Sequence, residues 1–254
     1  MAEINPKADL TATQLQSELD EIIATCEKNK LNTIFFQVRP TCDALYKSEI
    51  FPVSSYLSTS STLSFDPLAY LVKAAHEKNI FVHAWVNPLR VTMNSTDVNT
   101  LPANSPARLH PEWTVPFADG KLYLNAGLPE VRQLVADGVR EIVANYDVDG
   151  IVFDDYFYPT EDESFDKKQY EAYIEKYGKE NSMSLDNWRM QNVNTLICKV
   201  YRTIKSVDSS VEFGISPQGN IGNNDGLYAD VKSWCTCKGF ADYICPQIYF
   251  SLKN

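Results

Sequence analysis

The run Asp149-Gly150-Ile151-Val152-Phe153-Asp154-Asp155-Tyr156-Phe157-Tyr158-Pro159 decides the fold. Gly150 to Phe153 is short, apolar and rich in β-branched residues, the composition of a parallel strand covered on both faces. It stops abruptly in two carboxylates and three aromatic rings. In parallel α/β proteins ligands bind at the carboxyl ends of the strands, which makes Asp154 and Asp155 the candidate catalytic groups. Side chains alternate along a strand, so only one of the two is expected to face a central site. The competing reading is a pair that caps the following loop or binds a Lys or Arg, an ordinary role for Asp at turns.

Four segments of the same design accompany it. Leu31 to Pro40 is an apolar run that finishes in Gln37 and Arg39, with Asp43 shortly after. Ile80 to Pro88 places His83, Trp85 and Asn87 at alternate positions, hence on one face. Val211 to Pro217 and Ala241 to Tyr249 complete a set of five strands, the last two bearing Ser216, Gln247 and Tyr249 at their ends. Between them the spacing of apolar residues predicts helices from Leu10 through Cys26, from Pro67 to Lys78 with Asp66 as N-cap, from Pro129 to Tyr146, around Tyr170 to Tyr177, from Leu185 to Val207, and from Tyr228 to Cys235. Residues 1 to 10 read as polar and irregular, and the stretch between Pro88 and Leu128 as a long loop.

Strand and helix alternate, which specifies a parallel sheet with right-handed crossovers. Polar and aromatic residues with long loops follow every strand, while the connections from helix into strand are short. That asymmetry predicts a TIM-type (β/α) barrel with its site on one rim, 1–254 forming a single domain. A doubly wound sheet is the alternative, but no glycine-rich phosphate loop follows the first strand. Eight strands complete a barrel, so the first and the last two are expected outside this chain, which ends in Ser251-Leu252-Lys253-Asn254. Open sheet edges favour pairing, so self-association or further flanking sequence is expected.

Composition narrows the function. With 254 residues and 44% apolar content the chain can bury a large core. A net charge of -10 and a pI near 4.8 provide no basic stripe for phosphates, so nucleic acid is not an expected partner. No apolar run reaches membrane-spanning length, and no signal-peptide pattern opens the sequence. Three histidines, none in a His-x-His or His-x-x-x-His arrangement, argue against a metallohydrolase. Of six cysteines, Cys235-Thr236-Cys237 is half of a zinc motif without its other half. Neither metal nor cofactor is expected. Gly214-Ile215-Ser216-Pro217 lacks the second glycine of a nucleophile elbow.

Taken together, several motifs resemble the glycosyl-hydrolase-like family 10 proteins of bacteria. They are Gln37-Val38-Arg39-Pro40 with Asp43-Ala44-Leu45-Tyr46-Lys47-Ser48, Phe65-Asp66-Pro67-Leu68, His83-Ala84-Trp85-Val86-Asn87-Pro88-Leu89-Arg90, Tyr146-Asp147-Val148-Asp149-Gly150 leading into Phe153-Asp154-Asp155-Tyr156, Gly214-Ile215-Ser216-Pro217 and Pro246-Gln247-Ile248-Tyr249. The likeness spans nearly the whole chain, in order. It departs at Cys42, where the family commonly has Gly, and at Asp186-Asn187-Trp188-Arg189-Met190, which replaces a tighter Asp-Trp-Arg-Arg run. The resemblance implies a barrel of the cell envelope or extracellular space, often lipid-anchored, that cleaves peptidoglycan glycan strands stripped of their peptides.

Glycoside cleavage needs one carboxylic acid to protonate the leaving oxygen and a second carboxylate as nucleophile or base. Asp154 or Asp155 supplies one role; Asp43 is the next acid within reach of a shared site. Arg39 is expected to hold a neighbouring carboxylate ionised, while an apolar wall raises its partner into an acid. Trp85, Tyr156, Tyr158 and Tyr249 are candidate sugar platforms. Gln37, His83, Asn87, Arg90, Ser216 and Gln247 are candidate donors to a polysaccharide or oligosaccharide substrate. His83 read alone is a satisfied core histidine, and His76 a helical residue facing solvent. A glycan-binding barrel without turnover is the rival function.

Overall fold

A computed structural model describes residues 10–58 and 63–249. The expected irregular N-terminus, apart from Leu10, and the chain end from 250 to 254 lie outside them. In chain order the elements are α1 (Ala12–Asn29), β1 (Thr33–Arg39), α2 (Pro67–His76), β2 (Phe81–Val86), α3 (Pro106–Leu109), β3 (Thr114–Pro116), β4 (Leu122–Leu124), α4 (Pro129–Asn145), β5 (Gly150–Phe153), α5 (Lys167–Tyr177), α6 (Leu185–Val207), β6 (Glu212–Ile215), α7 (Val231–Thr236) and β7 (Tyr243–Ile244).

Local chemistry sets the helix ends. Thr11 and Gln14 close a reciprocal capping box on α1, and Lys30 ends it in the left-handed conformation. Asp66 accepts from the Ala69 amide ahead of Pro67, as the sequence predicts for α2. Ser184 caps α6, which runs over the predicted Leu185–Val207.

β1, β2, β5, β6 and β7 form one parallel five-stranded sheet in that spatial order. The sheet is α/β and parallel, as expected, and among the described residues it is open instead of closed into a barrel. One face carries Ile34, Val38, Val82, Ala84, Val86, Ile151, Phe153, Phe213 and Ile215, all buried. These pack with Leu19 and Ile23 of α1, Leu68 and Leu71 of α2, Val135 and Val139 of α4, and Leu196 and Val200 of α6 in one core. The other face carries the register partners Phe35, His83 and Gly150 and, one row on, Gln37, Trp85 and Val152. This second face is only partly covered: Phe81 is 51% exposed, and Phe35, Gln37, Trp85 and Tyr243 are half-buried.

Three expectations need correction. The long loop after β2 contains an antiparallel pair, β3 with β4, turned by Asp119 and the left-handed Gly120. The helix expected from Tyr228 starts at Val231, because Tyr228 itself takes the left-handed conformation and Asp230 is the cap. His76 does not face solvent freely; its Nε2 lies 2.8 Å from Asp149 Oδ2, which also accepts from the Val82 amide. That contact ties the end of α2 to the start of β5.

Candidate active site

Strand β2 and the turn after β5 build the centre. Asp154 is 2% exposed, and its Oδ2 accepts from Trp85 Nε1 at 2.9 Å and from Asn87 Nδ2 at 3.2 Å. Trp85 and Asn87 are two residues apart, so the pleat puts both on the same face as Asp154. Asn87 has a second task, since its Oδ1 accepts from the amides of Leu89 and Arg90 and so shapes the loop after β2. Burial raises the Asp154 carboxyl to about 7. Trp85 and the Arg90 guanidinium pull it down, and Asp155 pushes it up. The Tyr156 amide donates to Oδ1 at 3.4 Å and also pulls it down, yet desolvation of the fully enclosed group outweighs all of these.

Asp155, 5% exposed, is held from the other side of the turn. Its Oδ1 accepts from Gln247 Nε2 at 2.9 Å, and its Oδ2 from Gln218 Nε2. Gln247 Nε2 also donates to the Ser216 carbonyl oxygen at 2.8 Å, so the ends of β5, β6 and β7 are linked through one amide. Gln218 is fixed in turn by the buried Asn224, which accepts from its amide and donates to its carbonyl oxygen. Sequence reasoning did not single out Gln218. Its signal was available, as it lies two residues beyond Ser216 at a strand end.

The remaining candidates fall into three groups. Arg90, Gln37 and Ser216 are half-buried, Gln37 being the register partner of Trp85. Arg90 donates through Nε to the Pro40 carbonyl oxygen at 3.1 Å, and its guanidinium lies 4.6 Å from the centre of the Tyr156 ring. Tyr156, with Arg90 over one face of its ring, is 46% exposed, and Tyr249 is 78% exposed.

His83 sits deeper, beneath Trp85. Its Nδ1 is 2.7 Å from the Tyr243 hydroxyl, and burial lowers its pKa. The two rings rest on Gly150 and Gly214: a β-carbon at Gly150 would collide with the imidazole, and one at Gly214 with the Tyr243 phenol. Phe35 stacks beside Tyr243, giving the sheet face an aromatic floor.

Arg39, Asp43 and Tyr158 lie elsewhere than expected. Arg39 is 1% exposed, set over the Phe51 ring at 3.9 Å and against Gly138 of α4. Arg39 therefore projects into the helix layer, and Arg90 is the cation beside Asp154. The strand explains this: Arg39 is in register with the core-facing Val86 after an irregularity following Gln37. Asp43 is half-buried and accepts from Thr41 Oγ1 at 2.7 Å; burial raises its pKa in spite of Arg39. Tyr158 is buried between Phe165 and Tyr228, a core ring with no open face. Cys235 and Cys237 are exposed thiols, and among the described residues no three His, Cys, Asp or Glu side chains gather as a metal site.

A buried acid raised towards neutrality, next to a second carboxylate and flanked by rings, is the equipment of acid-catalysed glycoside cleavage. The chain is 38% identical over 267 aligned positions to "Glycosyl hydrolase YngK" of Bacillus subtilis, covering 97% of this chain and 51% of the relative. It is 37% identical to "Glycosyl hydrolase DigH" of Escherichia coli, covering 88% of this chain and 56% of the relative. It thus spans about half the length of the curated relatives it matches. In fold it is similar to the glycoside hydrolase domain of PgaB (BpsB) from Bordetella bronchiseptica, with a TM-score of 0.61 at 9% identity over 95% of this chain and 73% of that one. Residues 6–254 match the family described as Glycosyl hydrolase-like 10, and the chain belongs to that family.

Proposed function

We propose that this protein hydrolyses an amino-sugar glycan of the bacterial cell envelope, with peptide-free peptidoglycan strands as the substrate. The observation that carries the proposal is the Asp154 carboxyl: buried, raised to about 7, and aimed by Trp85 and Asn87 at the open sheet face. At neutral pH a large fraction of it holds a proton to give. In the proposed step the bond from the anomeric carbon to the glycosidic oxygen breaks, and the Asp154 proton passes to that oxygen. Water bonds the anomeric carbon through its oxygen and loses a proton to Asp155 as the assisting carboxylate, and return of that proton to Asp154 restores the acid. Trp85 and Tyr156 offer ring faces to the sugar.

The setting is proposed alongside. The protein acts in the envelope or outside the cell, and its open sheet belongs to a (β/α) barrel, completed by further strands or covered by a second copy. Among the described residues helices pack against one face and the opposite face is half-open, which supports that reading. One observation favours a glycan-binding protein without turnover: Gln218 and Gln247 already engage both oxygens of Asp155.

The test is product analysis by mass spectrometry after incubation with peptide-free and peptide-bearing glycan strands, beside Asp154→Asn, Asp155→Asn and Asp43→Asn. Shortened strands that Asp154→Asn abolishes support the proposal. Intact strands with the parent protein, together with measurable binding, would establish the non-catalytic reading instead.

A further inference from the structure

Arg90 is anchored but unspent. Its Nε is committed to the Pro40 carbonyl oxygen and its plane to the Tyr156 ring. Its backbone is pinned twice, by the Asn87 side chain and by a bridge to Tyr123. Among the described residues neither terminal guanidinium nitrogen donates to a protein atom, and no carboxylate oxygen lies within 4.0 Å to form an ion pair. Yet Arg90 is half-buried and acts electrostatically on Asp154. A guanidinium is costly to desolvate, and a fixed one with two free terminal amino groups presents the planar fork that fits a carboxylate. The chain as a whole carries -10, so no general basic field explains this cation.

We infer that Arg90, fixed over Tyr156 beside Asp154, recognises a carboxylate substituent on the sugar bound at the site. The inference rests on the glycan reading above and adds the charge of the substrate to it. Two glycan chemistries present such a group: the ring carboxylate of a uronic acid, and the ether-linked lactyl carboxylate of a peptide-free amino sugar. When a peptide is attached the lactyl group becomes an amide, which loses both the charge and one acceptor oxygen. Arg90 would then discriminate between stripped and peptide-bearing strands without any contact to the peptide.

The test is binding, measured by calorimetry on Asp154→Asn protein so that no ligand is consumed. Four ligands of matched length serve as probes: neutral oligomers of N-acetylglucosamine, oligogalacturonate, peptide-free peptidoglycan strands and peptide-bearing strands. The expected result is affinity about tenfold or more higher for at least one carboxylate-bearing glycan than for the neutral oligomer, from a charge-assisted bond. Arg90→Gln should abolish that preference, read as the ratio of anionic to neutral affinity, while Arg90→Lys, keeping the charge without the fork, should retain part of it. Thermal melts of both variants establish that they fold. Which carboxylate binds tighter assigns its source. Equal affinity for neutral and anionic glycans would overturn the inference and leave the glycan reading intact, whereas no binding of any glycan would overturn both.

Discussion

The indole Nε1 of Trp85 donates to the buried carboxyl of Asp154 over 2.9 Å. This bond, with the Arg90 guanidinium and the Tyr156 amide, opposes the burial that raises the carboxyl to about 7, so the acidity of the centre is a balance between desolvation and these partners. Trp85→Phe keeps a ring in place and removes the donor. The Asp154 carboxyl should rise further, moving the alkaline limb of a pH–rate profile upward. Asn87 still donates, so the loss of stability should stay near about 1–2 kcal/mol. An unchanged alkaline limb would mean that the Asp154 carboxyl does not set it.

The same carboxyl couples stability to pH. Folding raises it from 3.8 to about 7, so the folded protein holds a proton that the unfolded chain has released. The stability this group contributes is present below about pH 4 and is lost as pH rises through about 7. Asp154→Asn removes the dependence. Differential scanning calorimetry should find its Tm several degrees above the parent at about pH 8 and close to it at about pH 3.5, since each kcal/mol moves Tm by about 2–4 °C at this chain length. A variant less stable than the parent at both pH values would contradict the assignment.

Gly214 and Tyr243 test the aromatic floor. A β-carbon on Gly214 meets the phenol ring, and the ring is already held by its bond to His83. Gly214→Ala should cost about 1–3 kcal/mol by overpacking. Tyr243→Leu empties the contested space, so the double variant should fall short of the summed losses by about 0.5 kcal/mol or more in urea unfolding. Strict additivity would show that the ring moves aside freely.

How much of this was legible beforehand follows from which forces are local. Asp66 with Pro67, and Ser184 ahead of Leu185, are short-range signals, and the helices begin where they say. The alternation of His83, Trp85 and Asn87 placed three side chains on one face, and two of them meet at Asp154. Arg39 was misplaced because a one-residue irregularity after Gln37 reverses a side chain's face, and nothing in the residue types announces it. Gln218 was passed over although it lies two residues beyond Ser216 at the same strand end, and its bond to Asp155 spans fewer positions than that of Gln247, which the strand-end pattern did bring out. The short pair of β3 and β4 was hidden by strands of three residues each, too brief for a period of two to register.

Arg189 and Asp166 carry the last prediction. Both side chains are fully buried, with Arg189 Nη2 2.6 Å from Asp166 Oδ1 and Nε 3.1 Å from both carboxylate oxygens. The guanidinium also donates to the Asp162 carbonyl oxygen and the Tyr228 hydroxyl. It thereby joins α6 to the segment after β5 and to the turn before α7, the two segments that follow Asp155 and Gln218 in the chain. Breaking a buried pair leaves a charge without a partner, whereas replacing both members with apolar groups removes the desolvation penalty as well. Arg189→Met should therefore lose about 3–5 kcal/mol in urea unfolding, and Asp166→Leu with Arg189→Met should recover part of it. If the pair also positions the Asp155 side of the site, the double variant will regain stability while binding glycan more weakly than the parent. Full recovery of both would reduce the pair to a structural clasp, and a double variant less stable than Arg189→Met would show that its hydrogen bonds to Asp162 and Tyr228, not the charge pairing, hold these segments.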